Sequence, residues 1–254
     1  MRHRKLLQCL IMANKRKVFQ ILISFGHNLY SRVYFQAPQY STSSKIDFSG
    51  VFPPIVTPFK QDQTIAWAQL ESNLARLGEE PLAGYLVHGS NGEFCYLDTQ
   101  EKLDMVRAVR QLCGPDKLLL AGSGCEATLE TIKMTEAMAE AGCDAAVVVT
   151  PCYYKGGMTA AALEAHYTAV ADASPVPVVL YSVPANTALE LPLASAVRLA
   201  RHPNILGIKD SGGDITKLAS LVHLTQQEDF QVIAGSASFL LAALTVGAVG
   251  RCHV

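Results

Sequence analysis

The 254 residues contain no C-x-x-C pair, no H-x-H and no H-E-x-x-H. A thiolate zinc site and a histidine-based metal site therefore have no visible ligand set, and catalysis is expected to need no metal and no cofactor. The seven cysteines are odd in number and scattered, which argues against a disulfide framework and for reduced thiols. No G-x-G-x-x-G opens a helix, which weakens a dinucleotide-binding reading. Acidic side chains are missing from residues 1–46, which carry eight Lys or Arg. The remainder holds 13 basic against 22 acidic side chains, so the mature part is mildly acidic and neither nucleic acid nor an anionic membrane is an expected partner.

The basic, Ser-containing stretch, amphipathic over 15–24, reads as a mitochondrial transit peptide covering residues 1–45, with a matrix location implied. A disordered basic tail is the other reading. Its apolar run at 18–24 is too short to span a bilayer. A longer charge-free run at 232–250 reaches spanning length, but its Gly and Ser content fits a strand plus a helix better than a membrane anchor.

From residue 46 onward, short apolar runs alternate with helical periodicity. Strands are expected at 51–57, 84–88, 118–122, 145–150, 176–181, 205–209, 231–235 and 248–250, and helices include 99–112, 128–141, 159–173 and 193–201. Seven complete β/α units and the opening of an eighth predict a (β/α)8 TIM barrel rather than an open doubly wound sheet.

Reactive side chains of such a barrel belong at the C-terminal strand ends. Lys209 stands there, closing the apolar run Ile205-Leu206-Gly207-Ile208. Apolar surroundings disfavour the charged form of an amine, and the neutral amine can attack a carbonyl to form a Schiff base. The plainer alternative is a strand-end lysine paired with Asp210. Tyr181 at the end of strand five could relay protons if Ser90 lies within hydrogen-bond reach, or be an ordinary strand-end tyrosine. The loop Gly89-Ser90-Asn91-Gly92 offers backbone N–H groups and a hydroxyl to a carboxylate, or is a structural turn. Tyr153 and Tyr154 could extend the relay or merely pack; Ser211 and Gly235 could bind a carboxylate or make turns. Their common address favours the joint catalytic reading.

The stretches G-S-N-G-E (89–93), V-T-P-C-Y-Y (149–154), Y-S-V-P-A-N-T (181–187) and G-I-K-D-S-G-G-D (207–214), in this order, resemble the dihydrodipicolinate synthase and N-acetylneuraminate lyase family of class I, Schiff-base aldolases. The resemblance runs from about residue 46 to 250. It implies a 2-oxo acid substrate, Lys209 as the imine-forming nucleophile, Tyr181 assisted by Ser90 as the proton relay, and Ser90, Asn91, Ser211 and Gly235 at the substrate. It further implies that Tyr153 is lent across a subunit contact into a neighbouring site, hence a homo-oligomer, a tetramer in the family. Dihydrodipicolinate synthases usually carry two threonines in the strand-two loop, and neuraminate lyases a serine and a threonine. Ser90-Asn91 and Asp210-Ser211-Gly212-Gly213 look most like members that cleave 4-hydroxy-2-oxoglutarate to pyruvate and glyoxylate, a late step of hydroxyproline breakdown.

Members continue past strand eight, whereas here Gly247-Ala248-Val249-Gly250 runs into Arg251-Cys252-His253-Val254. The expectation is a barrel domain over 46–254 that is incomplete, with strand eight cut short, strands one and seven left with unpaired edges, and the last helices missing. An inactive shortened form that binds or perturbs complete subunits is the alternative from a different class.

Overall fold

The computed structural model describes residues 46–252; the leader expectation lies outside them. Eight parallel strands run β1 (Gly50–Val51), β2 (Gly84–Val87), β3 (Leu118–Gly122), β4 (Ala145–Val149), β5 (Val178–Ser182), β6 (Ile205–Asp210), β7 (Gln231–Ala234) and β8 (Gly250–Arg251). Their order in the sheet is β1-β8-β7-β6-β5-β4-β3-β2. The ring closes between β1 and β2 through Ala83 N–H to Val51 O (3.1 Å), Leu86 N–H to Pro53 O (3.1 Å) and Ile55 N–H to Leu86 O (2.8 Å). This is the (β/α)8 barrel.

Helices α1 (Trp67–Gly78), α2 (Thr99–Cys113), α3 (Thr128–Glu140), α4 (Ala160–Ala173), α5 (Pro184–Thr187), α6 (Leu193–Leu199), α7 (Ile215–Leu224) and α8 (Leu240–Thr245) alternate with the strands. Their starts are written in the sequence. Asp98 and Glu101 form a capping box at α2, Thr159 accepts the Ala162 N–H at α4, and Asp214 accepts those of Thr216 and Lys217 at α7. Each such cap satisfies donors that the first turn leaves open, worth about 1 kcal/mol.

Alternation along each strand separates two kinds of core. Tyr85, Val87, Val148, Val178, Leu180 and Ile208 face the helices, while Leu86, Leu120, Val147, Val179, Tyr181 and Ile233 fill the barrel. Burying each large apolar side chain contributes about 1.5–3 kcal/mol.

The expected strand at 51–57 is only Gly50–Val51 plus a bridge from Pro54 to Leu86. Pro53 and Pro54 lack the N–H groups a longer ladder needs. Strand eight corrects a second expectation. Gly250 and Arg251 pair with Gly50 and Val51 on one side and with Ile233 and Ala234 on the other, so strands one and seven do not have free edges there. Two residues suffice because β1 offers only two partners. Gly250 is needed at this closure, since a Cβ there would lie 2.4 Å from Phe48 O and 2.9 Å from Gly50 O. The charge-free run at 232–250 is divided among β7, α8 and β8, and no helix among the described residues is long and apolar enough to cross a membrane. Leu241 and Leu244 on α8 are exposed.

Candidate active site

The β5–β6 ladder skips one residue between Val178 and Val179: Val178 pairs with Ile205, but Val179 pairs with Gly207. A one-residue slip exchanges the two faces of a strand. Here it brings Lys209 opposite Tyr181, which belongs to the barrel-filling core. The Lys209 Nζ lies 4.3 Å from the centroid of the Tyr181 ring, and both residues are buried. Cys252, just past β8, is buried close enough to Lys209 for the amine to act on its thiol. Burial pushes the Cys252 thiol up, with Lys209 opposing that shift.

A second lysine, Lys217, is nearly as buried, and it decides what Asp210 does. Its Nζ donates to Asp210 Oδ2 (3.0 Å) and Glu190 Oε1 (2.7 Å), and Asp210 Oδ1 accepts the Gly212 N–H (2.8 Å). Asp210 is therefore the partner of Lys217, not of Lys209, and the plain strand-end pair considered from sequence does not form. Among the described residues Lys209 has no carboxylate within ion-pair distance; it faces an aromatic ring and a thiol.

A cavity of about 950 Å³ opens beside these strand ends, lined on one side by Ser90, Thr150, Val183, Asn186 and Thr187 and on the other by Cys95, Lys102, Glu126 and Cys152. A much smaller void of about 10 Å³ lies against Tyr181, His88, Val147 and Val149. Of the candidate residues, Tyr181 borders the inner void and Ser90 the large cavity; Lys209 borders neither space.

Ser90 lines the large cavity, but its hydroxyl is held by Asn186, whose Nδ2 donates to it at 2.9 Å. No hydrogen bond joins Ser90 to Tyr181 among the described residues, so the relay expected between them is not made in this arrangement. The N–H groups of Gly92 and Glu93 are spent on Gly89 O (2.9 Å) and Ser90 O (3.1 Å) inside the turn. Those of Ser90 and Asn91 are not. The Asn91 side chain is exposed and does not line the cavity.

Ser211 and Gly235 lie on neighbouring strand ends. Ser211 N–H donates to Ser182 O (2.8 Å), Gly235 N–H to Asp210 O (2.7 Å), and the Ser211 hydroxyl points to Gly235 O at 3.4 Å. A Cβ on Gly235 would sit 2.8 Å from the backbone oxygen of Asp210, which cannot rotate away as the Ser211 hydroxyl could, so glycine is required. Tyr153 and Tyr154 stack edge-on with ring centroids 4.9 Å apart, and both are exposed. Tyr153 does not line the cavity of its own chain.

Two contributors were not singled out from sequence. Asn186 lies inside the Y-S-V-P-A-N-T stretch, but its partner is 96 residues away. Cys252 comes after a strand too short to show an apolar pattern.

Residues 47–254 match the dihydrodipicolinate synthetase family. The chain belongs to that family. It is 36% identical over 209 residues to a 4-hydroxy-tetrahydrodipicolinate synthase of Haloarcula marismortui, covering 82% of this chain and 67% of that protein. The corresponding synthase of Methanospirillum hungatei is 35% identical, over 82% of this chain and 71% of its own length. Among solved structures, the dihydrodipicolinate synthase of Acinetobacter baumannii complexed with pyruvate superposes with a TM-score of 0.78 at 32% identity, over 82% of this chain and 70% of that one. A Bacillus anthracis dihydrodipicolinate synthase gives 0.78 at 30% identity, over 83% and 71%. The relatives are family enzymes, and the chain carries the fold of a lyase of this class.

Proposed function

We propose that the chain is a Schiff-base aldolase that cleaves 4-hydroxy-2-oxoglutarate to pyruvate and glyoxylate. The observation that carries the lysine chemistry is the pairing of Lys209 with Tyr181 across β5 and β6, an amine without a carboxylate partner set 4.3 Å from an aromatic ring. The complex of the Acinetobacter relative with pyruvate supports a 2-oxo acid as the substrate class. The substrate choice rests on Ser90-Asn91 in the β2 loop, where two threonines are usual for the synthases.

Lys209 attacks the 2-oxo carbon, water leaves, and a protonated imine forms. Tyr181 gives its proton to the departing water and is left as a phenolate. The imine then accepts the electron pair as the C3–C4 bond breaks, the phenolate takes the proton of the 4-hydroxyl, glyoxylate departs, and Tyr181 holds the proton that C3 needs. The remaining enamine is protonated at C3, and hydrolysis frees pyruvate and the amine. Substrate binding must draw Ser90 toward Tyr181 for the serine to assist; the bond from Asn186 uses only an acceptor site of the hydroxyl and leaves its O–H free to donate. Ser211 and the Gly235 backbone hold the carboxylate end. Tyr153 reaches a neighbouring copy in a homo-oligomer, and residues 1–45 direct the chain to mitochondria.

The test is incubation of the full chain with 4-hydroxy-2-oxoglutarate. Equal release of pyruvate and glyoxylate is expected. Absence of glyoxylate, with pyruvate still trapped on Lys209 by borohydride, would remove the substrate assignment and leave the synthase reading favoured by the names of the relatives. Absence of both would favour an inactive chain that binds complete subunits.

A further inference from the structure

The loop after β4 is held from one side by a single carboxylate. Thr150 N–H donates to Tyr181 O (3.2 Å), and Pro151 has no N–H to place. The next two amides, of Cys152 and Tyr153, both donate to Glu126 Oε2, at 2.9 and 2.8 Å. The other oxygen, Oε1, lies 3.5 Å from the Cys152 thiol. A carboxylate accepting several backbone N–H groups makes charge-assisted bonds and sets the direction in which the backbone leaves them. The side chain placed by this grip is Tyr153, exposed, braced edge-on by Tyr154, and not among the residues lining the cavity that Cys152 and Glu126 line.

From this we infer that Glu126 is a positioning residue for Tyr153, fixing the loop base from which that tyrosine projects into the site of a second copy of the chain. The inference rests on the aldolase reading and adds to it a residue on the β3–α3 loop that makes no contact with Lys209 or Tyr181. Its hydrogen bonds go to two backbone amides and a thiol of the loop after β4, so its hold on the loop is the action to be tested.

The experiment compares the full chain with Glu126→Ala, Glu126→Gln, Tyr153→Phe and the Glu126→Ala/Tyr153→Phe double variant in three measurements: hydrogen exchange of the 150–157 segment, borohydride trapping of pyruvate, and turnover of 4-hydroxy-2-oxoglutarate. Glu126→Ala is expected to speed exchange of the Cys152 and Tyr153 amides, to leave trapping on Lys209 intact, and to lower kcat about tenfold with little change in KM, part of the roughly 10²-fold scale of a positioned acid or base. Glu126→Gln, which keeps an acceptor oxygen, is expected to recover most of that loss. The double variant should be no slower than Tyr153→Phe, because residues acting through one another do not multiply.

Unchanged exchange, multiplying losses, trapping lost in Glu126→Ala, or a Tyr153→Phe enzyme with full turnover would each overturn the inference. Failure of the unsubstituted chain to trap pyruvate or to turn over substrate removes the aldolase reading instead, and the exchange measurement then decides by itself whether Glu126 holds the loop.

Discussion

One arc of the ring, β4 to β6, has strands of five or six residues that are almost wholly buried; the opposite arc, where β8 and β1 meet, is closed by two residues each. The long arc carries Lys209 and Tyr181, and its one-residue register shift aims both into the barrel. The short arc carries the closure, with a glycine pressed against backbone on β8 and two prolines following β1. Position of the reacting groups and integrity of the ring are thus assigned to different strands. Damage to one should be separable from damage to the other.

The sharpest separation is expected from Lys209→Arg, which should abolish turnover in a folded protein, because a guanidinium stays protonated and cannot form the imine. Full turnover by this variant would reject the lysine chemistry. Tyr181→Phe on the same arc should slow cleavage by about 10² or more while pyruvate is still trapped, read by comparing single-turnover rates with adduct yield. Loss of both together would mean that Tyr181 matters for folding instead.

On the closing side, His88, just past the end of β2, tests stability through its own buried ring, although it shares the small void with Tyr181. Its Nε2 donates to Lys102 O at 2.8 Å, leaving Nδ1 buried without a partner, and burial pushes its pKa down to about 4. The folded value lies below the ordinary one of 6.5, so the unfolded chain takes the proton first. This contribution is intact above about pH 6.5 and is lost as the pH falls toward 4, amounting to roughly 3 kcal/mol at the low end. Denaturant titrations across that window should show the slope, and His88→Gln should flatten it. Gly250→Ala should lower unfolding free energy by about 1–3 kcal/mol through its clash at the seam, with adduct yield per folded molecule unchanged. The smallest effect is expected from Asn186→Ala, which removes one hydrogen bond to Ser90 and should change kcat/KM about fivefold, about 1 kcal/mol.

The long arc was the legible one. Strands buried on both faces read as continuous apolar runs, so 145–150 and 205–209 are found within a residue of β4 and β6. The short arc was not. A two-residue strand has no periodicity, and Gly250-Arg251 becomes a strand only because β1 and β7 wait on either side. At the site, residue types and strand-end positions pointed to Lys209 and Tyr181, but the register shift that pairs them is a property of the ladder. Pairings between distant loops were equally hidden: Asn186 with Ser90, Lys217 with Asp210, and Glu126 with the Tyr153 loop depend on which strand ends become neighbours. Asn91, placed at the substrate by resemblance, is exposed in the folded chain.

The central claim is that one amine, Lys209, condenses with a 2-oxo acid. Reduction of the folded full chain with borohydride in the presence of pyruvate, followed by peptide mass spectrometry, should find a single adduct on Lys209 and none on the ion-paired Lys217. An adduct on another lysine, or no adduct on a chain shown to be folded, would contradict it.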